Sequence, residues 1–377
     1  MKNMLLVVLI IGFAVTVKAE NTEGKKEVQL GDITVTAQKT EENLRDVPMS
    51  VSVFNDLVLE DQEIKDLEDL SYYVPNFFLM GDGGGSGQPS MRGISMDMAT
   101  ASSSVGLYVD GVPTINSVGF MALMNGVERV EVLRGPQGTL YGKNAQAGVI
   151  NIITKKPGNE QEGQVYAELG EDNKHEVGVG LRTPIIKDKF YMGLTGRFYE
   201  KDGYLKNTYS NNIADDRKNY FGKLYLRLTP TDRLDISLIS SRYETDNDAI
   251  SRNLISAKNY LEIESDMNQS SDISLETYAL NISYQFDNFT LESITSYQEK
   301  ELDSLIDSDF SAEELMYYCV NIPYETLTQE LRLKGENGKL KWLAGLYADK
   351  MEKTGGITTT SISPSYVIAI NNDLEEK

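Results

Sequence analysis

Histidine and cysteine, the side chains that most often carry catalysis or bind transition metals, occur once each in the 377 residues, as His175 and Cys319. One imidazole and one thiol cannot build a Cys/His zinc cluster, and without a base beside a serine no hydrolase triad can be drawn. His175 lies in a polar turn after Asp172, Asn173 and Lys174, and Cys319 sits between Tyr318 and Val320 as a free or packed thiol. The run Gly81–Gly87 has the composition of a phosphate cradle. No strand leads cleanly into it and no helix follows, so the dipole that holds an anion is missing and the run reads as a flexible loop. Acidic residues are abundant: Asp303, Asp307, Asp309, Glu313 and Glu314 crowd the connection from Glu301 to Pro323. That crowding reads as a solvated loop in preference to a cation or ligand site. No catalytic residue, metal site or cofactor is expected.

Charge narrows the partners. The 36 Lys and Arg stand against 57 Asp and Glu, a formal net charge of −21. Such a surface repels phosphate backbones, so no nucleic acid is expected. A single cysteine rules out an intrachain disulfide. Lys2, the apolar run Met4 to Val17 and the short residues Val17 and Ala19 form a secretory signal peptide over residues 1–19, cut after Ala19. Beyond residue 20 no apolar run approaches the roughly 18 residues a membrane helix needs. If this chain spans a membrane, it does so with strands.

The elements that would position any site fall into two kinds. Residues 20–45 read as a polar tether, interrupted by the β-prone patch Ile33-Thr34-Val35-Thr36-Ala37. Residues 46–157 read as a compact α/β unit. It holds a strand at Met49–Phe54, one helix near Leu57–Tyr73 stopped by Pro75, and strands at Val105–Val109, Val127–Leu133 and Val149–Thr154. Residues 158–377 alternate with period two. Phe190, Met192, Leu194 and Phe198 share one parity while Tyr191, Thr195, Arg197 and Tyr199 share the other. The same split recurs at Leu224, Leu226 and Leu228, and at Tyr278, Leu280 and Ile282. Alternation alone also suits a soluble sandwich, whose strands run about five or six residues. Segments of roughly ten residues, joined by short turns and long polar loops in alternation, favour a transmembrane barrel. Nine or ten such strands are expected, with tight reversals at Arg182-Thr183-Pro184, Leu228–Asp232 and Phe286–Phe289 facing the periplasm.

One stretch is different in kind: Val127-Glu128-Arg129-Val130-Glu131-Val132-Leu133-Arg134-Gly135-Pro136-Gln137-Gly138-Thr139-Leu140-Tyr141-Gly142. Together with Gly148–Pro157, Ser90-Met91-Arg92-Gly93-Ile94 and Val109-Asp110-Gly111-Val112-Pro113, it resembles the plug-domain signature of TonB-dependent outer-membrane receptors. Thr328-Gln329-Glu330-Leu331-Arg332-Leu333 resembles a strand motif of the siderophore-receptor branch. The resemblance implies an α+β plug domain followed by antiparallel transmembrane β-barrel strands in the bacterial outer membrane. It implies import of a small-molecule ligand, a ferric siderophore first among candidates, with outer-membrane lipid and a TonB-ExbB-ExbD-type energy-transducing complex as partners. Ile33, Thr34, Val35, Thr36 and Ala37 lie where such receptors carry the TonB box, and the patch is expected to be unburied. Gly93, Asp110, Gly111, Gly135, Pro136, Gly138, Tyr141 and Gly142 make up the plug signature. Arg92 and Arg134 are expected to lock the plug onto carboxylates of the inner wall, with Glu330 as partner because it shares lumen parity with Thr328 and Arg332. Receptors of this kind have about 22 strands, and far fewer are present. The barrel is therefore expected to be incomplete and the chain to be a fragment of a longer receptor. The rival reading is a secreted or surface-exposed β-rich binding module without active transport.

Overall fold

A computed structural model describes residues 34–373, apart from 37, 41, 82–86, 96–102, 115–123, 250–258, 339, 364 and 365. The signal peptide, Ile33, Ala37 and most of the glycine-rich run lie outside the described residues. Thr34–Val35 (β1) pairs antiparallel with Glu42–Asn43 (β2). The next strand, Ser50–Asn55 (β3), runs into helix Asp56–Asp61 (α1), which is followed by helix Leu67–Tyr73 (α2). The single helix expected here is thus two. Glu63 takes a positive φ of 52° after α1, and the Asp66 side chain accepts the backbone N–H of Asp69 to start α2 afresh. The break lets Ile64 turn into the core. Strands Phe77–Gly81 (β4) and Gly87–Met91 (β5) form a hairpin.

Val105–Val109 (β6), Val112–Thr114 (β7) and Val127–Arg134 (β8) precede the short helix Gly138–Tyr141 (α3) and strand Gly148–Thr154 (β9). The central sheet has the order β3-β8-β9-β6-β7. Period-two alternation gives it two packed faces. Val130, Val132, Ile150 and Ile152 meet Leu67, Leu70 and Phe77 on one side. Leu133 and Val149 meet Tyr108 and Tyr141 on the other. Each fully buried Leu or Phe contributes about 1.5–3 kcal/mol, so the two cores account for a unit this small holding its shape.

The remaining chain is a meandering wall. Its strands are Glu162–Gly170 (β10), Lys174–Ile186 (β11), Phe190–Lys201 (β12), the short Lys206–Asn207 (β13) and Asn212–Ile213 (β14), Arg217–Thr231 (β15), Leu234–Thr245 (β16) and the short Glu262–Ile263 (β17). Then follow Ser270–Gln285 (β18), Phe289–Asp307 (β19), Met316–Asn337 (β20), Leu340–Lys353 (β21), Gly356–Ser363 (β22) and Tyr366–Asp373 (β23). The wall has the order β10-β11-β12-β15-β16-β18-β19-β20-β22-β23, and β21 covers the second half of β20. β13, β14 and β17 make a separate small sheet at the long-loop end. The first short turn falls at Lys187-Asp188-Lys189 and not at Arg182-Thr183-Pro184, because Pro184 is carried inside β11 beside a register irregularity. Leu194, Leu238, Leu327 and Leu331 face outward and exposed, while Arg197, Tyr225, Thr328 and Glu330 face inward and buried. Among the described residues β10 pairs only with β11 and β23 only with β22, so the wall is open. No helix among them is long and apolar enough to cross a membrane.

Candidate functional site

The N-terminal segment is docked and not free. Val35 has no exposed surface and packs with Val47, Tyr108, Leu133, Tyr141, Ala145 and Val149. The expectation of an unburied patch is corrected by this contact, whose cause is the apolar second face of the plug sheet. The next residue fixes the register. The Thr36 backbone N–H donates to Glu131 Oε1 at 2.8 Å, and Thr36 Oγ1 lies 3.1 Å from both carboxylate oxygens. Glu131 is fully buried in β8, opposite Val53 and Asn151. It also accepts from Arg129 Nε at 2.9 Å and from Asn151 Nδ2 at 3.3 Å. A buried carboxylate of this kind is tolerable only because each oxygen is partnered.

Three residues on, the same segment reaches the wall. Lys39 Nζ lies 2.5 Å from Glu330 Oε1, with both side chains about nine-tenths buried. The ammonium stands 5.1 Å from the Tyr141 ring centroid and 6.0 Å from that of Tyr108. Burial, then the neighbouring Arg332 cation, pull the Lys39 pKa below its ordinary value against the opposing pull of Glu330. Arg332 holds Glu330 from the other side with two contacts of 2.7 and 2.6 Å. Beside this junction, between plug and wall, is a cavity of about 1220 Å³ onto which Thr36, Lys39 and Arg332 open.

Two further junctions hold plug to wall. Asp110 and Gly111 form the β6–β7 turn, at φ 51° and 84°. A Cβ on Gly111 would stand 2.9 Å from Ile294 Cδ1, so only glycine permits both the left-handed backbone and this close approach. Asp110 Oδ2 meets Lys223 Nζ of β15 at 2.6 Å, and its carboxylate accepts the N–H and hydroxyl of Thr154 at 2.9 and 2.7 Å. Burial raises the Asp110 pKa, but the Lys223 charge and these hydrogen bonds outweigh it and leave the group below the ordinary aspartate value. The other junction centres on Glu176 of β11. It is paired with Arg197 at 2.9 Å and Lys65 of the plug at 3.3 Å, and it accepts from Tyr166 at 3.1 Å.

The expected lock is therefore redistributed. Glu330 does face the plug, but its partners are Lys39 and Arg332, and among the described residues neither Arg92 nor Arg134 forms an ion pair with it. Arg92 stands exposed in the turn after β5, at φ 53°. Its Nη1 lies 3.0 Å from where a Cβ on Gly135 would be, and Gly135 at φ 119° has none to spare room for. Arg134 ends β8 with Nε buried and without a hydrogen bond. With two cations already on Glu330, the carboxylate has no free oxygen to offer either arginine. Of the remaining signature residues, Gly93 follows Arg92 in that turn, Pro136 is exposed, Gly138 opens α3, and Gly142 follows Tyr141, whose backbone oxygen takes the Tyr108 hydroxyl.

Sequence reasoning missed Lys39, Glu131 and the Asp110–Lys223 contact. Glu131 left a signal: an acid between Val130 and Val132 claims a polar partner on the sheet's second face. Lys39 left none, since nothing local marks it off from other tether lysines.

Residues 43–149 match the TonB-dependent Receptor Plug Domain family. Over 85% of its length the chain superposes on the crystal structure of the ferric yersiniabactin uptake receptor from Yersinia pestis, with a TM-score of 0.76 at 23% identity. Residues 43–149 are a plug domain of the TonB-dependent receptor kind, and the chain around them has the plug-and-wall fold of such receptors. Its location is the bacterial outer membrane. The receptor chain is 37% identical over 146 residues to the pesticin receptor of Yersinia pestis, 38% of this chain and 21% of that protein. It is 32% identical over 186 residues to the vitamin B12 transporter of Vibrio vulnificus, 48% of this chain and 30% of that protein. Of the solved receptor it spans 50%, so it covers about half that length and less of the two sequence relatives.

Proposed function

We propose that this receptor chain is the plug-bearing part of an importer that carries a scarce small molecule, of the ferric siderophore class, inward across the outer membrane. Residues 1–19 are the signal peptide, 20–45 the periplasmic segment, 46–157 the plug and 158–377 the part of the barrel present. Ile33–Ala37 is the TonB box, engaged by a TonB-ExbB-ExbD-type complex, while outer-membrane lipid covers the outward leucines. The observation that carries this reading is the double anchorage of one short segment, to the plug through Thr36 and Glu131 and to the wall through Lys39 and Glu330. A strand so placed transmits a pull on it to both bodies. The ligand class is supported by the description of the structural relative as a ferric yersiniabactin uptake receptor.

An extended segment recruited as an added strand needs its backbone donors. Val35→Pro removes one and also forbids the docked pairing. In an iron-starved Gram-negative host given ferric yersiniabactin as probe, with the remaining wall strands supplied so that the barrel closes, the variant receptor should bind the chelate at the cell surface as the parent does and lose accumulation of iron. Undiminished accumulation would reject the coupling role of Ile33–Ala37. Absence of probe binding by the parent itself would reject that ligand and leave the coupling test to a second chelate.

A further inference from the structure

The long-loop end of the wall, which is the cell-exterior rim, holds a carboxylate that coupling and transport do not use. β19 ends at Asp307, and the chain turns through residues 308–315 before β20 begins. Asp307 is 1% exposed. Its Oδ1 accepts the backbone N–H groups of Asp309 and Phe310 at 3.0 and 3.1 Å. Its Oδ2 is buried with no hydrogen-bond partner, and the adjoining Ser308 Oγ is in the same condition. Asp309 differs, because both its oxygens are spent on the turn: Oδ1 takes Ser311 and Oδ2 takes the N–H groups of Leu315 and Met316. From the loop ahead of β18, Gln269 Oε1 accepts the Asp307 N–H at 3.2 Å. Asp266 stands in that same loop, three residues ahead of Gln269, and Glu314 lies with Asp309 in the turn after β19. No described Lys or Arg forms an ion pair with any of these four acids.

A buried carboxylate with one oxygen unpartnered and further carboxylates beside it is costly, and a cation joining it removes that cost. We propose that Asp307 Oδ2, Asp266 and Ser308 Oγ bind a calcium ion at the exterior rim. Every available donor is oxygen, which selects a hard cation over zinc or copper. The set is also irregular. Among the described residues no three acidic, histidine or cysteine side chains converge as a ready metal cluster, so water and neutral oxygens complete the shell. Calcium accepts 6–8 oxygens at varied angles, whereas magnesium demands a near-regular octahedron. Few charged ligands place the affinity in the weak range suited to an external medium, about 10⁻⁴–10⁻³ M. The ion ties the β19–β20 turn to the loop before β18, two segments otherwise joined here by the Gln269 contact and mutually repelled by charge.

The test uses the full chain in detergent, stripped with chelator and titrated with calcium chloride by calorimetry. Asp307→Asn keeps an oxygen for the Asp309 and Phe310 N–H groups and so preserves the turn. One saturable site is expected, weakened about tenfold or more in Asp307→Asn and in Asp266→Asn. Asp272→Asn, which alters the separate acidic patch where Asp272 faces Asp303 across β18 and β19, should bind as the parent. Cleavage by a glutamate-specific protease at the exposed Glu313 and Glu314 should slow with calcium in the parent and not in Asp307→Asn. No saturable binding, or equal binding in Asp307→Asn, or equal loss in Asp272→Asn, overturns the site.

Discussion

At the scale of single residues, the Asp110–Lys223 pair is the contact whose loss should matter most. Both side chains are about nine-tenths buried. Removing one partner strands the other charge, a cost of about 3–5 kcal/mol for buried pairs. Lys223→Ala should therefore weaken the seating of the plug, read as faster amide exchange in β6 and β9, and unchanged exchange would show that Thr154 alone satisfies the carboxylate. The pH dependence has a definite sign. Because the folded-state pKa of Asp110 lies below the ordinary aspartate value of about 3.9, its stabilisation is complete above that value and lost as pH falls through the folded pKa. Protection of β6 should decline below about pH 4 in the parent and stay flat there in Asp110→Asn. The sequence marked Asp110 as part of a signature without revealing its partner, since Lys223 lies 113 residues away. Arg92 and Arg134 show the converse: residue type suggested ion pairs, yet the geometry of two strand ends turns both from Glu330.

At the scale of elements, the β1 segment is held by side chains more than by its two-residue ladder. Glu131→Gln keeps an acceptor for the Thr36 N–H but surrenders the charge that also holds Arg129. Lys39→Ala removes the wall contact and leaves Glu330 to Arg332. Each charge-assisted contact is worth about 1.5–3 kcal/mol, so the double variant should free the segment while each single variant frees it in part. Mobility of a spin label at Thr34→Cys checks this, and a label equally immobile in all three would place the anchorage in Val35 alone. The alternation from Phe190 onward was legible because each strand solves the same problem, apolar outward and largely polar inward, but the Glu301–Pro323 connection read as a loop is mostly strand, since β19 runs to Asp307 and β20 starts at Met316. The docking of residues 34–39 was not. It depends on Glu131 and Glu330, 95 and 291 residues distant, and no local pattern encodes such pairings. The split of the expected helix into α1 and α2 was written in Asp66 as an N-cap.

At the scale of the molecule, the wall determines what the chain can do alone. Backbone groups along β10 and β23 face outward from an open sheet, and in lipid each unpartnered group costs several kcal/mol. This chain by itself should not show the heat-dependent gel migration of a closed barrel, nor conduct or import when reconstituted. Addition of a second polypeptide carrying complementary strands should restore heat modifiability. Heat-dependent migration by the chain alone would mean that β10 and β23 find each other and that the wall closes more tightly than its described pairing.

The position of β3 has a mechanical side. It is an edge strand of the plug sheet, and it is also the first strand of that sheet that the chain enters after the docked segment. Tension on the chain before Thr34 therefore meets its resistances in series: the β1–β2 ladder with the Val35 burial, then Thr36, then Lys39, and only afterwards Ser50 opposite Arg134. Each is loaded after the one before it has given way, as a seam opens stitch by stitch, so the peak force is that of the strongest single stitch and not of their sum. Once β3 is reached it too can peel from its Ser50 end, exposing β8 while β9, β6 and β7 stay assembled. The plug is thus arranged to come apart from one side, in an order written along the chain.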